Sequence, residues 1–464
     1  MTSLDAVLDR IDRDLDQSVD RLFDFLRIQS VSTDPAYKDQ CRSAAEFVAK
    51  DLSSIGLEAS IRPTGGHPIV VGKTPQGQGG AKGPRVLFYG HYDVQPVDPL
   101  ELWQTPPFEP RIDTLPDGRK IIVARGACDD KGQAMTFIEA CRALKTVTGT
   151  LPLPITVMLE GEEECGSAHL FGFVKENAAE LKQDLALICD TSMWDPQTPM
   201  ITTSLRGLVY EEVKLTCADR DLHSGLFGGA AQNPLRVLSK ILAALHDDNG
   251  RVTLPGFYDG VQELPADIKA DLKGLNLTAE DFLAPVGLKV PAGEKGYMLI
   301  EQIATRPTAE INGIVGGYTG EGAKTVLPGQ ATAKVSFRLV GAQDPQKVRD
   351  AFRAFVTARL PEDCKAAFTN FGLAPAFDLG FDNPALVKAR AALAAEWGRK
   401  AVTVGEGGSI PIVADFKRML GMDTIMVGFA LDDDRVHSPN EKFDLTSFHK
   451  GTRSWARILA ALAE

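Results

Sequence analysis

The stretch PITVMLEGEEECGS, Pro154 to Ser167, runs from an apolar, β-branched segment into four acids within the five positions Glu160 to Glu164, punctuated by Gly161 and Gly166. Its first half reads as a buried strand and its second as the loop at that strand's carboxyl end. Carboxylates this crowded repel one another and raise each other's pKa unless a cation or a hydrogen-bond network holds them. Either the cluster is solvated, or something positive belongs at the mouth of this strand.

Three further runs have the same texture: HPIVVG from His67, RVLFYG from Arg85 and LALICD from Leu185. Ahead of PITVMLEG lies DDKGQAMTFIEACRALKTV, in which Met135, Ile138, Cys141 and Leu144 recur every three residues on one helical face. Near the N-terminus, LDAVLDRIDRDLDQSVDRLFDFLRIQS is helical in spacing, and CRSAAEFVAKDLSSIG is a second amphipathic helix stopped by Gly56. Strands alternating with helices imply an α/β fold, a mostly parallel sheet covered by helices on both faces.

After SLRG the texture changes. LVYEEVKLT and ATAKVSFRLV alternate apolar and polar residues as half-solvated antiparallel strands do, around the helical patterns NPLRVLSKILAALHDD and DPQKVRDAFRAFVTARL. Residues 208–379 read as an α+β domain inserted into a first domain of residues 1–207 and 380–464. The segment from Gly250 to Gly313 shows little regular pattern. The chain then returns to helix, strand and helix with NPALVKARAALAAEW, DTIMVGFA and TSFHKGTRSWARILAALAE.

A length of 464 residues fits two domains. Fifty Lys plus Arg against 62 Asp plus Glu give a net charge of −12, which argues against nucleic-acid or anionic-membrane partners. There is no apolar run long enough to span a bilayer, and the N-terminus is acidic where a signal peptide is basic, so a cytoplasmic location is expected. The seven cysteines include no CxxC pair and are expected to be reduced.

In open parallel sheets, ligands bind beyond the carboxyl ends of the strands. Candidate metal ligands sit at those ends: His91 and Asp93 in VLFYGHYD, the acid cluster, Asp190 in LALICD and His437 in IMVGFALDDDRVH, joined by Asp129 at a helix start. Taken singly, each has an ordinary explanation as a turn, a helix cap or a solvated acid. Their joint appearance at strand ends favours a site. Two imidazoles with several carboxylates and no required thiolate suit Zn²⁺, with Mn²⁺ or Co²⁺ as alternatives, and five ligands suffice for two ions sharing one carboxylate.

GHYDVQP, RGACDDKG, EGEEECGS, CDTSMW, DLHSGLFGG, GEGGSIP and HSPNEKF resemble, in order, the motifs of the M20 family of metallopeptidases, in its cytosolic nonspecific dipeptidase and carnosinase branch. The resemblance spans nearly the whole chain. It implies that His91, Asp129 and Asp190 hold one ion, that Asp129, Glu164 and His437 hold the other, and that the Asp129–Asp130 peptide bond is cis. It further implies a metal-activated water as nucleophile, Glu163 as general base and Asp93 as the residue orienting His91. His223 would meet the developing oxyanion from the neighbouring subunit, making the inserted, ferredoxin-like domain a lid and homodimerisation domain. Arg338, Gly408, Ser409 and, in YTGEGAKTVLP, Lys324 and Thr325 would contact a peptide with a free C-terminal carboxylate. The expected activity is hydrolysis of dipeptides. The alternatives are N-acyl amino acid deacylation of the acetylornithine or succinyl-diaminopimelate type, carboxypeptidase action on longer peptides, and, more remotely, a non-catalytic amino-acid or peptide binder.

Overall fold

The computed structural model describes residues 4–78, 80, 83–407 and 410–464. The chain divides into two compact units, one formed by Met1–Thr203, Leu379–Thr403 and Asp415–Glu464, the other by Ser204–Asp378 and Val404–Ala414. Residues 404–407 thus group with the inserted unit.

In the first unit the four apolar runs are strands of one sheet. Val86–His91 lies parallel to Ile155–Glu160 on one side and to Leu185–Ile188 on the other, and Asp423–Met426 adds a fourth parallel strand beside Leu185–Ile188. Ile69–Lys73 and Glu58–Arg62 extend the sheet antiparallel at its edge. Every residue of Val86–His91 and Ile155–Glu160 is buried, which is why these strands read as unbroken apolar runs instead of alternating ones.

The helix Lys131–Thr148 carries the apolar face of Met135, Ile138, Cys141 and Leu144 but is not limited to it. It is buried at every position from Lys131 to Cys141, and again at Ala143 and Leu144, and it ends at Gly149 with φ +80°. The reason is a second layer: Phe137 stacks on Phe88 of the sheet at 3.8 Å and meets the edge of Trp455, from the C-terminal helix Leu445–Ala463, at 5.4 Å. A helix held between a sheet and another helix has no solvated stripe. The N-terminal apolar periodicity is carried by two helices, Leu4–Arg13 and Leu15–Leu26, and the third helix, Lys38–Ser54, is followed by Gly56 at φ +83°.

In the inserted unit, four antiparallel strands stand in the order Thr308–Gly316, Gln330–Leu339, Gly207–Thr216, Lys365–Ala374. Val209, Val213, Val335, Phe337 and Leu339 point to one face and pack with Leu238, Ile241 and Phe352 of the helices Pro234–Ala243 and Pro345–Thr357. Asn233 and Asp344 cap those helices through their side chains, each with proline at the first helical turn. The poorly patterned stretch after Gly250 holds the short helices Ala266–Gly274, Ala279–Leu283 and Leu299–Ala304.

The expectation of uniformly reduced thiols is corrected at one pair. Cys217 and Cys364 form a disulfide with their Cα atoms 4.4 Å apart. Each lies one residue beyond the paired positions Thr216 and Lys365 of neighbouring antiparallel strands, a proximity that a separation of 147 residues hides in the sequence. Closing so long a loop restricts the unfolded chain, so Cys364→Ser is expected to destabilise the inserted unit by about 2–4 kcal/mol. Chemical denaturation followed by circular dichroism checks this, with reduced wild-type protein expected to coincide with the variant. No helix among the described residues is long and apolar enough to cross a membrane.

Candidate metal centre

The parallel strands deliver the candidate ligands to one rim. His91 is the last residue of its strand, Asp190 follows Leu185–Ile188 by two positions, and Glu164 lies in the single helical turn Glu163–Cys165 after Ile155–Glu160. Asp129 closes a turn just before the buried helix, and its peptide bond to Asp130 is cis. His437, at φ +59°, arrives from the loop after Asp423–Met426.

These side chains form two groups that share Asp129: His91, Asp129 and Asp190, and Asp129, Glu164 and His437, with one donor atom from each residue within 4.8 Å of the others in its group. One Asp129 oxygen, Oδ1, lies 3.0 Å from His91 Nε2, and the other, Oδ2, lies 2.9 Å from His437 Nε2. His437 Nε2 is 3.1 Å from Glu164 Oε2, and His91 Nε2 is 3.9 Å from Asp190 Oδ2.

The electrostatics show what such a cluster demands. Burial, with the Asp129 and Asp130 carboxylates alongside, pushes Asp190 well above the usual carboxylate range. Burial opposes charging His91, yet hydrogen bonding to Asp129 and Asp93 overrides it and raises the imidazole. His437 is raised to about 10, by its hydrogen bonds to Asp129 and Glu164. Against the effect of burial, hydrogen bonds from His437 and His91 hold Asp129 well below its ordinary value. The raised Asp190, His91 and His437 show that carboxylates crowded here call for positive charge, which divalent cations held by the same oxygen and nitrogen donors would supply. Two imidazoles and three carboxylates in two adjoining groups fit a pair of such ions.

The four crowded acids of the opening stretch have separate fates, so a cation is not what makes all of them tolerable. Glu160 turns into the core, where its Oε1 accepts from the Tyr89 hydroxyl at 2.5 Å and the Ser167 hydroxyl at 3.1 Å. Glu162 accepts from the His67 backbone N–H at 3.0 Å and lies 2.8 Å from His169 Nδ1. Glu164 joins the cluster. Glu163 stays beside it, half-buried, and burial raises its carboxyl above the ordinary value.

Asp93 is fully buried. Its carboxylate accepts the backbone N–H groups of Glu163 (3.3 Å) and Glu164 (3.0 Å) and lies 3.4 Å from His91 Nδ1, whose shorter contact is with the Asp93 carbonyl at 3.1 Å. It therefore ties the imidazole to the acidic turn. Sequence reasoning missed Gln95, two residues on, whose Nε2 donates to Glu164 Oε2 at 2.7 Å. It also missed Glu441.

The chain matches the model of peptidase family M20/M25/M40 over residues 87–461. It belongs to that family. Like the other M20 peptidases it is a metal-dependent peptidase, and similar proteins span its full length. Cys-Gly metallodipeptidase dug1 of Schizosaccharomyces pombe is 31% identical, covering 99% of this chain and 98% of its own. The Beta-Ala-His dipeptidase of Homo sapiens is 28% identical, covering 99% and 93%. Among solved structures, the M20 family metallo-carboxypeptidase Sso-CP2 from Sulfolobus solfataricus superposes with a TM-score of 0.77 at 28% identity, covering 96% of this chain and 99% of that one.

His223, Lys324, Thr325 and Arg338, also named from the sequence, lie in the inserted unit of this M20 peptidase. His223 is exposed and caps the turn Ser224–Phe227, its Nδ1 accepting from the Gly225 N–H at 3.0 Å. It pairs with Val326 across a two-residue ladder, and the Ser224 N–H donates to the Thr325 carbonyl at 3.0 Å, so the His223 and Thr325 segments adjoin. Lys324 sits over the Tyr318 ring at 5.8 Å. Arg338 is half-buried on the sheet face opposite the core, and the unpredicted Arg206 is near enough that burial and the Arg338 charge together lower its pKa. Gly408 and Ser409 lie outside the described residues.

Proposed function

We propose that this peptidase is a dinuclear metal-dependent dipeptidase that cleaves the amide bond of dipeptides bearing a free C-terminal carboxylate. The observation that carries the reading is the Asp129 carboxylate, which turns one oxygen to His91 and the other to His437, each at about hydrogen-bonding distance. His91, Asp129 and Asp190 would hold one ion and Asp129, Glu164 and His437 the other, with Zn²⁺ preferred over Mn²⁺ or Co²⁺ for two imidazoles among carboxylates. A bound pair of divalent cations supplies Lewis acidity, acidifying water and polarising an amide carbonyl.

Glu163 is the general base. Its carboxyl adjoins the cluster without belonging to either ligand group, and its raised pKa suits a residue that takes a proton from the attacking water and returns it to the leaving amine. Asp93 fixes the orientation of His91, as ligating histidines require. His223 donates to the developing oxyanion from the neighbouring subunit of a homodimer built through the inserted domain, and Arg338 clamps the terminal carboxylate with help from Thr325, Gly408 and Ser409. The names of the relatives, acting on Cys-Gly and Beta-Ala-His, support short substrates.

The likeness to a metallo-carboxypeptidase favours one second reading, removal of the last residue from longer peptides. One experiment separates these. Apo protein made by chelation is reloaded with Zn²⁺, Mn²⁺ or Co²⁺ and offered dipeptides, N-acetyl amino acids and tetrapeptides side by side. Metal-restored turnover of dipeptides above the other two classes is expected. Preference for acetyl amino acids or tetrapeptides, or turnover that survives chelation, rejects the proposal.

A further inference from the structure

Glu441 follows His437 by four residues in the same loop and is fully buried, yet nothing in the proposed chemistry uses it. Its carboxylate is filled by donors from a single turn. Oε2 accepts from the Arg125 guanidinium at 2.7 Å and the Gly126 N–H at 3.0 Å, while Oε1 accepts from the Cys128 N–H at 2.9 Å and the Asp129 N–H at 3.0 Å. Gly126, at φ +80°, lets the backbone curl so that three amides converge on one anion. Arg125 is only 1% exposed and supplies the charge that a buried carboxylate needs; its second terminal nitrogen, Nη2, donates to the Pro96 carbonyl at 2.9 Å. The Glu441 carbonyl accepts from the Ala124 N–H at 3.2 Å, so backbone and side chain of one residue grip both ends of the turn.

That turn ends in Asp129. The carboxylate therefore joins the segment bearing the shared ligand to the loop bearing His437. We infer that Glu441 is a positioning residue for the cation pair: by holding the Cys128 and Asp129 amides it sets the direction in which the Asp129 side chain leaves the turn, so that each oxygen meets its own ligand group. The inference rests on the reading of Asp129 as the bridge. Glutamine at this position offers one acceptor oxygen in place of two and turns an NH₂ group toward donors, whereas aspartate keeps the charge but withdraws it by one methylene.

The test compares wild type, Glu441→Gln and Glu441→Asp, each stripped by chelation, shown to be folded by circular dichroism, and titrated with Zn²⁺ against a chromophoric chelator. Because Asp129 serves both groups, both affinities are expected to fall, roughly 10- to 100-fold in Glu441→Gln, as for other residues that orient metal ligands, and by less in Glu441→Asp. A merely structural role would lower the melting temperature and leave the ion affinities of the folded protein alone. Folded variants that bind both ions as wild type does would overturn the inference while leaving the bridge intact; a wild type that takes up a single ion overturns the bridge and this inference with it. Should neither variant fold, amide exchange in apo wild type decides. Slow exchange at Gly126, Cys128 and Asp129 before any metal is added supports a turn preset by Glu441, and fast exchange there rejects it.

Discussion

Asp129→Ala is expected to lose both ions and all metal-dependent turnover together, leaving activity at the level of the chelated wild type. The two candidate groups share this one residue, and its two oxygens face the two imidazoles at 3.0 and 2.9 Å, so no single-group deletion is expected to have the same reach. His437→Ala is the comparator, since it removes a ligand from one group only and should leave one ion in place. Metal analysis after exhaustive dialysis, with Tm recorded on the same samples, reads the outcome. A variant lacking Asp129 that retains two ions would remove the basis for a shared bridge.

Glu163→Gln has the second-largest expected effect and the opposite signature. Turnover should fall by roughly 10²–10⁴-fold, the contribution of a positioned general base, while both ions stay bound with near wild-type affinity. The side chains of Glu163 and Glu164 are neighbours in one helical turn, but only Glu164 belongs to a ligand group. Amide replacement preserves the shape of Glu163 and removes its capacity to accept a proton. If kcat changes by less than tenfold, the base must be sought elsewhere; if metal is lost, Glu163 is a ligand.

Much of this molecule can be read before it folds, and the reasons are physical. Strands buried on both faces carry no alternation, so Val86–His91 and Ile155–Glu160 stand out as apolar runs, and a polar residue at the end of such a run marks the rim where a ligand can sit. His91, Asp129, Glu164, Asp190 and His437 could be named on that ground with the family motifs, and they meet in space. What the sequence hides depends on side-chain direction. Glu160 and Glu164 are the same residue type four positions apart, yet one turns into the core against Tyr89 and the other out to His437. Glu441 looks like any loop acid until three amides from another segment are seen to point at it. The Lys131–Thr148 helix shows one apolar face in sequence because its small residues, Ala134, Ala140 and Ala143, do not announce that they too are buried.

The candidate ligands come from five stretches of chain that are brought together only by the assembled sheet, with the shared carboxylate mounted at the foot of a helix enclosed by the core. An unfolded chain cannot reproduce that arrangement locally, so on the proposed reading nearly all of the ligation free energy would accrue to the native state. For this peptidase, endurance and cofactor supply are then expected to move together. Removing divalent ions is therefore expected to lower the melting temperature of the fold as well as to stop turnover, and thermal denaturation of chelated against reloaded protein checks this.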